Sequence, residues 1–286
     1  MTESPPADWP FAEASRFVDC RPHRWHVQQI GTGPDLLLLH GAGASTHSWR
    51  GLAPLLAERH RVTMIDLPGH GFTRLGTRNR SGLDPMAEDI AALLRTLALR
   101  PAAIVGHSAG AALALRLSLD APDAVPVVSI NGAFQMFDGI AGFLFPLVAK
   151  VLALNPLTVP LFTMGSTLSR TKRLLEGTGS QVDPEGLRQY HALVSDRRHV
   201  EGALAMMANW SLDRLMRDCA NLSAPMLLLA ARGDRTVPPS VSEEVAKRVS
   251  AAQVKHLEKL GHLAHEEAPE CIADQSLEFL ATHRAP

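Results

Sequence analysis

Gly106-His107-Ser108-Ala109-Gly110 places a serine between two glycines, after a short apolar run (102–105) and before a stretch rich in Ala and Leu. That order describes a nucleophile elbow, a sharp strand-to-helix turn that lifts a serine hydroxyl clear of a sheet edge. Backbone and helix pass so close together in such a turn that a Cβ at 106 or 110 would clash. A helix opening just after Ser108 also supplies free amides and a dipole where an oxyanion would develop.

A serine hydroxyl is a weak nucleophile at neutral pH and needs a base, which in turn needs an orienting carboxylate. Asp234, in Arg232-Gly233-Asp234-Arg235, is the candidate acid, and His262, in Gly261-His262-Leu263, is the candidate base. Asp234 follows an apolar run and His262 follows the strand expected at 253–257, which places both on loops at the sheet edge where Ser108 emerges. Taken singly, the glycine spacing arises by chance, Asp234 reads as a turn residue and His262 as a loop histidine. Their order, each behind its own strand signal, makes them a triad.

His40-Gly41-Ala42-Gly43-Ala44 follows the apolar run 36–39, and its small residues would let backbone approach a substrate carbonyl. The expected oxyanion donors are the amides of Ala42 and of Ala109, the residue after the nucleophile. The competing reading is a tight turn that merely needs glycine. Candidates for the substrate pocket are His40, Trp49, His107, Asn131, Phe145 and Trp210, although the histidines also read as structural and the tryptophans as core. His265, before Glu266-Glu267, raises a metal site. No third ligand stands at a recognisable spacing and no His-Glu-x-x-His occurs, so neither metal nor other cofactor is expected. His265 is expected to help start the final helix or to bond locally.

The elements that must carry these residues follow from periodicity. Short apolar runs alternate with helical patterns, predicting a mostly parallel sheet flanked by helices. Strands are expected at 24–29, 36–39, 62–65, 102–105, 125–130, 226–231 and 253–257. Helices are expected at 48–58, 85–97 (capped by Asp84), 238–249 and 263–281. Residues 131–214 read as helical, with breaks at Pro146, Pro156, Pro160 and Pro184. A helical block between two strands predicts a cap, residues 131–214, over a core made of 1–130 and 215–286.

Composition bounds the partners. The 286 residues carry 28 Lys and Arg against 29 Asp and Glu, a net charge of −1, and show no long basic stripe. Nucleic acid is therefore not an expected partner. No lysine follows a glycine, so a phosphate-cradling ATPase loop is absent. Cys20, Cys219 and Cys271 form no Cys-x-x-Cys pair and read as reduced, buried thiols of a cytoplasmic protein. The N-terminal stretch has no apolar core of a secretory signal. The apolar run 139–154 is broken by Pro146 and Lys150, so no transmembrane segment is expected. Residues 139–165 hold one charged side chain, Lys150. They read as a greasy lid over a hydrophobic small molecule, as a face in peripheral contact with a membrane, or as helices packed on one another.

These motifs resemble the α/β-hydrolase superfamily over nearly the whole chain: His40-Gly41, Asp66-Leu67-Pro68-Gly69-His70-Gly71, the Ser108 elbow, Gly233-Asp234 and Gly261-His262. The resemblance implies the α/β-hydrolase fold, with Ser108 as nucleophile, Asp234 as acid, His262 as base and Ala42 and Ala109 as donors. Asn131 is not acidic, which leaves Asp234 rather than the alternative acid position of some relatives. Ser108 excludes the aspartate nucleophile of dehalogenases and epoxide hydrolases. A narrower resemblance is to the branch of this superfamily that accompanies magnesium chelatase in the bacteriochlorophyll biosynthesis of phototrophic bacteria. Its residues are Glu13 to Val18, Arg24 to Gln28, Gly43 to Arg50, Asn131-Gly132-Ala133, Gly142 to Pro146 and Ala203 to Trp210. It implies a role near magnesium insertion into protoporphyrin, a porphyrin as ligand and chelatase subunits as partners, but no particular reaction. Arg170, Lys172 and Arg173 read as a solvated face or as partners of propionates.

Two functions follow. One is a serine hydrolase cleaving a carboxylic ester of a tetrapyrrole or another hydrophobic compound. The other is a non-catalytic porphyrin-binding accessory of magnesium chelatase. Fold does not choose between them.

Overall fold

The computed structural model describes residues 4–135 and 158–283. Eight strands form one sheet in the order β1-β2-β4-β3-β5-β6-β7-β8. They are β1 (Ser15–Cys20), β2 (His23–Ile30), β3 (Asp35–Leu39), β4 (Arg61–Ile65), β5 (Ala103–His107), β6 (Val127–Ile130), β7 (Met226–Ala231) and β8 (Ala252–Leu257). The pairs β1–β2 and β2–β4 are antiparallel, and every other neighbouring pair is parallel. The expected strands all form; β1, which sequence reading did not anticipate, adds the edge beyond β2.

The central strands β3, β5, β6 and β7 read as largely apolar runs because helices cover both faces. Leu36 to Leu39 are all buried and divide alternately between two cores. Leu37 and Leu39 face α2 (Leu83–Thr96) and α3 (Ala109–Asp120), while Leu36 and Leu38 face α1 (Leu52–Ala57) and α11 (Pro269–Thr282). Burial of each such leucine contributes about 1.5–3 kcal/mol.

Three helical expectations need correction. The stretch 48–58 splits into a 3-10 turn, Thr46–Trp49, and α1. Asp84 lies within the first turn of α2 rather than capping it, since Gly82 holds the cap position without a side-chain bond. The last helix is divided by Pro269 into α10 (Ala264–Glu267) and α11. Proline suits the first turn of a helix but cannot donate within one. Cys219 is buried and Cys20 partly so, whereas Cys271 is exposed; all three are free.

Five described helices lie between β6 and β7: α4 (Thr158–Met164), α5 (Leu168–Gly177), α6 (Pro184–Val194), α7 (Arg197–Asn209) and α8 (Asp213–Asp218). Three have side-chain caps: Thr167 accepts from Arg170 N, Asp183 from Gly186 N and Asp196 from His199 N. Each cap is worth about 1 kcal/mol. Phe145 and the apolar run 139–154 lie outside the described residues. No described helix is long and apolar enough to cross a membrane. The remaining helix, α9 (Pro239–Arg248), joins β7 to β8.

Candidate active site

Ser108 sits between β5 and α3 with φ 52° and ψ −117°, a left-handed backbone that a side chain adopts only under constraint. The neighbouring elements impose it. A Cβ on Gly106 would overlap the backbone of Gly110 and Ala111, and one on Gly110 would overlap the carbonyls of Leu39 and His40. The Ser108 amide donates to Ile130 O at 3.0 Å, and its carbonyl accepts from Ala111 N and Ala133 N. The turn is thereby fixed from β6 as well as from its own helix.

Asp234 follows β7 and His262 follows β8. The two residues meet: Nδ1–H of His262 donates to Oδ2 of Asp234 at 2.7 Å. The other carboxylate oxygen accepts from Thr236 N at 2.7 Å and Val237 N at 2.8 Å. The Asp234 carboxyl is thus held in a fixed orientation with its side chain fully buried. Because Nδ1 carries the proton, the basic lone pair of His262 is on Nε2. Ser108 and His262 line one cavity, together with Ala42 and Ala109. Ala109 is the first residue of α3, where helical geometry leaves an amide without an intrahelical partner.

The cavity encloses about 820 Å³ and is mainly apolar, with walls that include Leu174, Val200, Met206, Met207, Trp210 and Leu263. Helices α5, α6 and α7 all contribute to it. That size lies toward the upper end of small-molecule pockets, roughly 300–1,000 Å³.

His107 and Trp210 line this cavity, but three other expected pocket residues stand behind it. His40 is fully buried; its Nδ1–H donates to Gly41 O at 2.8 Å and its Nε2 accepts from Leu67 N at 2.9 Å. It is a strut joining the loop after β3 to the exit of β4. Trp49 is fully buried in the core, its ring 4.7 Å from that of His265. Asn131 uses its amide to bind the carbonyls of Gly261 and His262, and its oxygen accepts from Ala231 N. His265 forms no hydrogen bond through either ring nitrogen, so the expected local bond is absent. Burial pushes its pKa down to about 3. Among the described residues, no group of His, Cys, Asp and Glu is arranged to hold a metal.

Sequence reading missed the buried polar groups that join the helices between β6 and β7 to this site. His199 on α7 donates from Nε2–H to Gly43 O at 3.1 Å and accepts from Gly71 N on Nδ1 at 3.0 Å. Burial pushes its pKa down to about 4. Asp66 accepts from His26 Nδ1–H, Thr46 N and Phe72 N at 2.7–2.8 Å, pinning the loop after β3 to that after β4. Glu266 is buried against Arg50 and the Tyr190 hydroxyl, and Arg50 reaches Asp183 at the start of α6. A lone histidine in an amphipathic helix carries no spacing signal for such a bridge.

A sequence profile described as alpha/beta hydrolase fold matches residues 34–269. The chain belongs to the alpha/beta hydrolase fold family. It is 45% identical to the "Magnesium-chelatase 30 kDa subunit" of Rhodobacter capsulatus, over 96% of this chain and 97% of that protein. It is 29% identical to a pimeloyl-[acyl-carrier protein] methyl ester esterase of Aeromonas hydrophila, over 82% of this chain and 91% of the relative. Among solved structures, the ligand-free epoxide hydrolase CorEH superposes with a TM-score of 0.79 at 21% identity, covering 94% and 99% of the two chains. That likeness concerns the fold alone.

Proposed function

We propose that this protein is a serine hydrolase that cleaves a carboxylic ester of a bulky hydrophobic compound, with a role tied to magnesium chelatase. The observation that carries the reading is the 2.7 Å bond from His262 Nδ1–H to buried Asp234, with His262 and Ser108 opening on the same cavity. In the proposed reaction, Nε2 of His262 takes the Ser108 proton as Oγ attacks the ester carbonyl. The amides of Ala42 and Ala109 stabilise the oxyanion. The imidazolium returns that proton to the departing alcohol, and an acyl-serine remains. Water, deprotonated by the same Nε2, then releases the acid and restores the serine.

The large apolar cavity supports a lipophilic substrate, and the 45% identical chelatase subunit supports a tetrapyrrole setting, where the sequence resemblance also pointed. Among the described residues, the exposed large apolar side chains are Met164, Leu168 and Leu174, all on α4 and α5, and Leu174 also lines the cavity. This supports entry of a greasy substrate at that edge, with peripheral membrane contact there as part of the same reading.

A fluorophosphonate probe tests the chemistry: it should label the native protein at Ser108 and leave Ser108→Ala unlabelled. The second reading is a porphyrin-holding accessory of the chelatase, favoured by the name of the 45% identical relative. A native protein that resists the probe while binding protoporphyrin tightly would establish that reading instead.

A further inference from the structure

We infer that Arg235 is a carboxylate-binding specificity residue, so that the ligand of this cavity carries a free carboxylate beside its apolar body. The inference rests on the esterase reading for the identity of the reacting bond, but not for the binding itself. Among the described residues lining the cavity, Arg235 is the sole lysine or arginine, and no aspartate or glutamate is present. Its neighbour Arg232 is bound by Glu258 at 2.7 Å, and Arg50 is bound by Glu266 and Asp183. No carboxylate of the described residues makes an ion pair with Arg235.

The root of this side chain is fixed next to the reacting groups. Thr178 O accepts from Arg235 N at 3.1 Å and from His262 N at 3.4 Å, so one carbonyl ties both backbones to the end of α5. Arg235 directly follows Asp234, and the Thr236 and Val237 amides beyond it hold the Asp234 carboxylate. The loop that orients the acid therefore also carries Arg235, at the exposed rim of the cavity. The planar fork of the Arg235 guanidinium matches a carboxylate through two parallel hydrogen bonds. In a mainly apolar cavity, a carboxylate placed elsewhere would lose water without gaining a partner. Arg235 thus selects the monoester of a hydrophobic dicarboxylic acid over the corresponding diester.

The test separates binding from turnover. On Ser108→Ala protein, which cannot form an acyl-enzyme, affinities are measured for the monomethyl and dimethyl esters of one long-chain α,ω-dicarboxylic acid. The monoester should bind at least about tenfold more tightly, as expected for a charge-assisted hydrogen bond. Adding Arg235→Gln should bring the ratio to about one, and adding Arg235→Lys should restore part of it. Arg235 is exposed, so an unchanged thermal midpoint is expected in each variant. Equal affinities for the two esters, or a ratio indifferent to Arg235→Gln, would overturn the inference. Failure of native protein to hydrolyse either ester would overturn the esterase reading while leaving the binding result intact.

Discussion

The Asn131 side-chain amide binds the backbone carbonyl of His262 at 2.9 Å, and that of Gly261 at 3.0 Å. Asn131 thereby joins the end of β6 to the loop that carries the imidazole, while its oxygen accepts from Ala231 N at the end of β7. His107 adds a second clamp, since its Nε2–H also donates to His262 O at 2.9 Å. The imidazole is held toward Asp234 by its ring and toward the sheet by its backbone.

Removing the amide should loosen His262, the proposed base, without emptying the cavity. Asn131→Ala is expected to lower the rate of fluorophosphonate labelling by about ten- to a hundredfold, the cost of a small misplacement of a reacting group. Substrate KM should change little. Asn131→Asp should do the same or worse, because a carboxylate cannot donate to either carbonyl. A labelling rate equal to that of native protein in both variants would show that the clamp is dispensable.

How much of this was legible beforehand depended on whether a residue acts through its neighbours in sequence. Ser108 stands out as a candidate because strand, glycines and helix are contiguous, Asp234 because it follows an apolar run, and His262 because it follows the next expected strand in the order of a triad. The central strands were legible because residues buried on both faces of a sheet are mostly apolar, as in Leu36 to Leu39 and Met226 to Ala231. Edge strand β1, half exposed and carrying Arg16 and Asp19, has no such run. Polarity or aromaticity near a motif makes Asn131, His40 and Trp49 candidates for substrate contact, although His40 also reads as structural and Trp49 as core. Their side chains instead serve backbone groups or core more than twenty residues away: Asn131 at 231, 261 and 262, His40 at 67, Trp49 at 265. Only the closed fold brings those partners together.

The Asp234 carboxylate should matter through the tautomer it enforces. Asp234→Asn would keep the volume but could place its NH₂ against Nδ1, favouring the proton on Nε2, where the lone pair is needed. Ester turnover should fall by about four orders of magnitude, as for the equivalent change in serine proteases. Loss of less than tenfold in a steady-state assay would remove Asp234 from the proposed mechanism.

Acid should unfold this protein through its histidines as much as its carboxylates. Burial holds the pKa of His199 near 4 and that of His265 near 3, below the ordinary value of 6.5. His40, His47, His70 and His107 are lowered in the same direction for the same reason. A base with a depressed folded pKa binds more protons when unfolded, so stability is complete above pH 6.5 and declines as pH falls toward the folded value. His199 and His265 each contribute a slope of about 1.4 kcal/mol per pH unit in that window, and the other four act in the same direction. Urea melts at pH 7.5 and 5.5 should therefore differ by about 3 kcal/mol from His199 and His265 alone, with less stability at the lower pH. Replacing His199 by Gln, which can still donate to Gly43 O, should make the dependence shallower. An unchanged slope would assign the acid sensitivity to other groups.

The elbow's tightness is testable at its second glycine. A Cβ at Gly110 would overlap the Leu39 and His40 carbonyls, and these belong to β3 and the loop before Ala42. Neither can retreat without moving the expected oxyanion donor. Gly110→Ala is expected to cost about 3 kcal/mol or more, beyond the usual range for a surface change, and to slow labelling of whatever folded protein remains. Gly177 provides the contrast, since nothing lies within 4 Å of a Cβ built there. Gly177→Ala should alter stability by about 1 kcal/mol at most and leave labelling intact. Thermal melts of the pair distinguish a steric requirement at the Ser108 turn from a general intolerance of lost glycine. If Gly110→Ala melts with the native protein, the backbone approach between β3 and α3 is looser than its geometry implies.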